Sequence, residues 1–242
     1  MSPGSSRSLA RLVVMLAASA LAAAGFAALG VWQVHRLAWK QALMARVDRN
    51  VHAPPMPAPA AAQWPAITHD DEYRRVQARG RLDYAHEVLV AATTELGAGY
   101  WVLTPLRTGE GAWLLVNRGF VPPELRGKVP RGPEHGDVVG LLRFSEPGGR
   151  FLQDNVPAAG RWYSRDVAAI AAAQGLTGAV APYFIDEVAA ADTASRWPRP
   201  GLTVIRFAND HLQYAITWFA LAAMMAAAFG YVLLDDRRRR TP

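Results

Sequence analysis

His211, Tyr214, Ala215 and Trp218 are spaced i, i+3, i+4 and i+7, so on a helix they share one face. That face sets one imidazole beside two flat aromatic rings and a small residue. An imidazole nitrogen can ligate iron axially while a macrocycle lies over the rings, so the face suits a haem held through His211. The same residues also suit an interfacial belt, because Tyr and Trp collect where a membrane helix meets water. Both readings stand on the residues alone, and His35 admits the belt reading as well. Arg36 and Arg118 are cations that would pair with a propionate or a partner's carboxylate, or else be solvated or snorkelling side chains.

The remaining chemistry is sparse. The six histidines are scattered, at 35, 52, 69, 86, 135 and 211, with no pair at metal-ligand spacing. The chain has no cysteine, which removes disulfide frameworks, thiolate metal sites and c-type haem attachment. There is no G-x-S-x-G elbow, H-E-x-x-H pair, P-loop or G-x-G-x-x-G turn. The expectation is a protein that binds and does not catalyse.

What must position His211 is a pair of apolar runs. Leu12 to Val34 and Leu212 to Leu234 each extend 23 residues without a charge. At 1.5 Å per residue either exceeds the roughly 30 Å of bilayer hydrocarbon. A cleaved signal peptide is the rival reading of the first run, since Arg7 and Arg11 precede it and Ala20-Leu21-Ala22 resembles a cleavage site. The run continues a dozen residues past that point, which favours a retained span.

The net charge of +6 is not a nucleic-acid signal once it is apportioned. Between His35 and Asp210 there are 20 basic and 18 acidic residues, so most of the excess lies in the tails. Arg237 to Arg240 directly follow the second run and hold that end in the cytoplasm. Both termini are therefore expected there, although Arg36, Lys40, Arg46 and Arg49 after the first run pull the other way.

The organisation expected is a cytoplasmic tail (1–11), a first span (12–34), a charged helical extension (35–52), an Ala/Pro linker (53–65), a domain (66–210), a second span (211–234) and an Arg-rich cytoplasmic tail (235–242). Pro54 and Pro55 stop the extension, and five prolines make 53–65 a stiff extended connector outside the core. Seven β-like runs follow: Tyr73–Leu82, Glu87–Thr93, Tyr100–Leu106, Trp113–Val121, Asp137–Phe144, Tyr183–Val188 and Leu202–Phe207. One helix, Val167 to Gln174, is capped by Ser164 or Asp166 and ended by Gly175. The fold class is an α+β membrane protein: terminal transmembrane helices flank a β-dominated domain, an antiparallel sheet or open barrel with a short helix.

Several blocks in order resemble the surfeit locus (Surf-one) family, assembly factors of cytochrome c oxidase. They are Leu29-Gly30-Val31-Trp32-Gln33-Val34-His35-Arg36 with Trp39-Lys40, Glu72 to Val76, Val116-Asn117-Arg118-Gly119-Phe120-Val121-Pro122, Gln153-Asp154-Asn155, and Asn209 to Phe219. Asp210 stands where Asn is frequent in the family, and Phe120 where Trp is. The resemblance implies a multi-pass protein of the bacterial inner membrane with its main domain periplasmic. It implies work on haem a as transient cargo for oxidase subunit I, in company with haem a synthase, and no nucleic-acid partner. It also implies that the histidine opening the second span, here His211, is the axial ligand of the haem iron, with Tyr214 and Trp218 beside the macrocycle. The alternative from another class is a scaffold that grips an assembly intermediate and binds no haem.

Overall fold

A computed structural model describes residues 3–150, 152–190, 196–205 and 207–240. In sequence order the elements are helix α1 (Pro3–His52), strands β1 (Met56–Pro57), β2 (Arg75–Leu82), β3 (Val88–Thr94), β4 (Gly97–Thr108), β5 (Trp113–Val121) and β6 (His135–Phe144), helix α2 (Val167–Ala173), strand β7 (Val180–Glu187) and helix α3 (His211–Arg240). They form two units, residues 1–45 with 206–242, and residues 46–205.

In the helical unit, α1 and α3 are each long and apolar enough to cross a membrane, and their apolar windows are not buried by protein. Leu21, Val31, Ile216 and Met224 are among the large apolar side chains that face outward. In water such a surface would be costly, whereas lipid covers it without loss, which fits a membrane protein. The helices meet along a narrow seam. Phe26 stacks on Trp218 with centroids 5.7 Å apart, Ala215 is buried, and Gly30 lets the Phe219 ring approach so closely that a β-carbon there would stand 2.7 Å from it. Small residues at such crossings let helices approach where lipid offers no hydrophobic drive.

The β unit begins inside α1. Arg46 pairs with Asp70 at 2.8 Å, and Asn50 Nδ2 donates to the carbonyls of Asp70 and Glu72 at 3.0 and 3.1 Å. Helix continues to His52 as composition predicts, and Pro54 and Pro55 stop it.

Five strands close into a barrel in the order β2-β6-β7-β5-β4 and back to β2, the last seam joining Gly80–Leu82 to Leu106–Thr108. β3 adds to β4 outside the ring and β1 adds to β2. The pairs around the ring are antiparallel except β5 with β7, which is parallel. The sheet is thus a closed barrel where an antiparallel sheet or open barrel is expected, because β2 pairs on both sides and leaves the ring itself without an edge, with β1 and β3 as edge strands outside it.

Alternation sorts the side chains into two cores. Val76, Leu106, Leu114, Val116, Leu142, Tyr183 and Ile185 come from all five ring strands and fill the barrel. Val88, Val90, Leu103, Leu115 and Phe184 face the other way and are covered by α2, through Val167 and Ile170, and by Trp162. All nine residues of β5 are buried, as a strand covered on both faces requires. Asp166, not Ser164, caps α2, accepting from Ala169 N at 3.1 Å; at the other end Leu176 N and Gly175 N bond to the Ala171 and Ala172 carbonyls, with Gly175 at φ +64°.

Two expectations are corrected. The Ala/Pro segment 53–65 is not outside the core: Met56 and Pro57 pair with β2, and Ala58 and Trp64 pack on the barrel interior. Pro59 O accepts from both the Tyr183 hydroxyl (3.0 Å) and Trp64 Nε1 (2.9 Å). Pro57 is tolerated because it lies on an edge. Burial pushes the Tyr183 phenol up to about 12. Secondly, Leu202–Phe207 forms no strand among its described residues. Upstream of it, Arg199 bridges to Phe120, and Gly201 N donates to the Glu187 carbonyl at 3.0 Å.

Candidate functional site

The imidazole of His211 opens α3, and its Nδ1 lies 2.8 Å from Oε1 of Gln33 on α1. Gln33 is 8% exposed, a polar side chain in the helix seam. Among the described residues no hydrogen bond reaches His211 Nε2. The buried Oδ1 of Asn209, two residues before, has no hydrogen-bond partner either.

Of the four residues that share a helical face by spacing, Ala215 and Trp218 turn into the α1 seam, and Trp218 is engaged by Phe26. Tyr214 lies at the margin, 54% exposed. The face is therefore a packed seam with an imidazole at its head, and not an open platform along its length. His211 is half-buried, and Arg36, one turn beyond Gln33, is exposed with its guanidinium 4.1 Å over the Trp39 ring. Arg118 is no free cation. It is buried, bonds Glu87 Oε2 at 2.8 Å and Pro130 O at 2.7 Å, and lies over Tyr84; Thr104 Oγ1 donates to the same Glu87 oxygen. The barrel strands desolvate it, and a propionate would have to displace that pair.

The β unit holds a second cluster that the sequence reading missed. Asp186 on β7 accepts from Asn117 Nδ2 (2.8 Å), Thr203 Oγ1 (3.0 Å), Arg143 (3.2 Å) and Arg165 (3.1 Å). Arg165 also grips Glu146, and Arg143 faces Glu72 at 3.4 Å and lies over the Tyr73 ring. The one available signal was an Asp inside the apolar run Tyr183–Val188. Burial pushes the Glu146 carboxyl up, but the Arg165 hydrogen bonds and the charges of Arg165 and Arg143 outweigh it and hold the group below its ordinary 4.5. A depressed folded value adds stability above the ordinary value that is lost as pH falls through the folded one. The thermal stability of the protein in detergent is expected to fall on acidification below about pH 4.5, and Glu146→Gln is expected to flatten that loss. Glu187, raised by burial against the pull of Arg196 and Arg118, acts in the opposite sense.

Among the described residues no group of three His, Asp or Glu could hold a metal ion. The clusters on β5, β6 and β7 consist of ions paired with one another, a structural device, although the buried Nε of Arg143 makes no hydrogen bond. The fold and the His211 site define a membrane protein with a closed barrel between two spans and one imidazole at the head of the helix seam.

The SURF1 family model matches residues 20–223. Surfeit locus protein 1 of Mus musculus is 36% identical over 238 residues, covering 88% of this chain and 72% of the relative. The Homo sapiens protein of the same name is 35% identical, covering 88% and 74%. A SURF1-like protein of Monosiga brevicollis is 31% identical, covering 84% and 82%. The chain belongs to the SURF1 family.

Proposed function

We propose that this chain is an assembly factor for haem-copper oxidase that takes haem a as cargo on His211 and passes it to oxidase subunit I, beside the haem a synthase that makes it. Family membership supports the assembly role. The observation that carries the cargo role is His211 at the head of α3 with Nδ1 engaged by Gln33 and, among the described residues, no hydrogen bond to Nε2. Tyr214, exposed at the seam margin, is the ring that lies against the macrocycle. Trp218, stacked on Phe26, braces the helix pair beneath it. Arg36 suits a propionate, being a cation in reach of solvent. The protein breaks no bond; a single neutral ligand with apolar packing suits a carrier that must release its cargo.

Both termini are cytoplasmic in this reading, because the tail carries Arg237 to Arg240, and residues 46–205 work on the opposite face of the cytoplasmic membrane. Purified in detergent from cells that make haem a, the protein should carry a Soret band, and His211→Ala should lose it by a factor of about 10 or more. A colourless wild type would favour the scaffold reading instead.

A further inference from the structure

We infer that Gln33 is the positioning residue of the cargo site: its amide oxygen holds His211 in the tautomer with hydrogen on Nδ1, which leaves the Nε2 lone pair for iron. The inference rests on the reading of His211 as the haem ligand, but it makes a claim about the protein without cargo as well.

A glutamine placed in a span loses hydration that only a hydrogen bond can replace. Gln33 is 8% exposed, and its Oε1 lies 2.8 Å from His211 Nδ1, a residue 178 positions away in sequence. An amide oxygen only accepts, so this contact requires Nδ1 to donate, and a neutral imidazole that donates from Nδ1 carries its free lone pair on Nε2. Ligating histidines are commonly oriented in this way, by an acceptor on the nitrogen that does not bind the metal. The seam keeps Gln33 in place: Gly30 one turn before it carries the Phe219 ring, and Phe26 two turns before it stacks on Trp218. The ring plane of His211 is thereby fixed before cargo arrives, so that less ordering is required on binding.

The test uses the full-length protein in detergent, 15N-labelled at histidine, first without haem and then titrated with haem. In the apo protein the long-range 15N–1H pattern of His211 is expected to show Nδ1–H, and Gln33→Leu is expected to give a mixture of tautomers. On titration Gln33→Leu should bind haem about 10- to 100-fold more weakly, with Gln33→Glu, which keeps an acceptor oxygen, recovering most of that loss. An Nε2–H tautomer in the apo wild type would overturn the proposal, since Gln33 would then be donating. Wild-type affinity in Gln33→Leu would overturn it equally. If His211→Ala binds haem as the wild type does, the cargo reading falls by itself, and the tautomer result still decides what Gln33 does.

Discussion

Asp186→Ala is expected to destabilise the β unit by about 3–5 kcal/mol, the usual cost of breaking a buried ion pair from one side. The carboxylate is 3% exposed and serves Arg143 and Arg165, themselves 14% and 12% exposed. Removing it leaves two guanidinium groups in poor solvent, one stacked over Tyr73 and the other over Phe184, with Asn117 and Thr203 each losing an acceptor. Asp186→Asn should cost less, because an amide oxygen still accepts from one arginine. Chemical denaturation in detergent, followed by tryptophan fluorescence, measures both. A loss in Asp186→Ala below about 1 kcal/mol, the range of exposed pairs, would show that water reaches the cluster freely.

Gly119→Ala is the second large effect, with an expected loss of about 2–6 kcal/mol from backbone strain and overpacking together. Gly119 has φ +126°, a conformation that L side chains rarely adopt, and a β-carbon there would collide with the carbonyl of Arg199. That carbonyl accepts from Phe120 N at 2.9 Å, and Arg199 N donates back to Phe120 O at 2.8 Å. The bridge that ties the segment before the second span to β5 thus depends on a residue without a side chain. Gly111→Ala is the control. It also has positive φ, at +82°, but an added β-carbon meets nothing within 4 Å, so only the conformational cost of about 1 kcal/mol should appear. Equal losses in the two variants would remove the close approach as the cause.

Both predictions fall within or against the block Val116 to Pro122, which gives the block a structural meaning. Val116 fills the barrel, Asn117 bonds Asp186, Arg118 pairs with Glu87, Gly119 admits the Arg199 carbonyl and Phe120 is fully buried. Glu72 and Tyr73 meet Arg143 of the same cluster. Asn155 does comparable work in the loop before α2, accepting from the backbone N–H of Tyr163 and Ser164 and donating to Ser164 Oγ. These polar residues hold the barrel together; the candidate cargo residues are elsewhere, on the helices.

The sequence by itself determined whatever depends on near neighbours along the chain. Apolar run length marked both spans, alternation located β2 to β7 within a few residues, Ser164 or Asp166 together with Gly175 bounded α2, and helical spacing grouped His211 with Tyr214, Ala215 and Trp218. Tertiary structure decided what depends on partners far apart in sequence. β2 closed onto β4 to make a ring, and the proline segment paired with β2 beside it. Asp186 gathered cations from β6 and from the loop before α2. Gln33, a polar member of an uncharged run, met His211 across the seam. The reason is that periodicity records which face of an element is apolar, whereas a buried polar group's worth is set by the one group that satisfies it, and that group is chosen by packing.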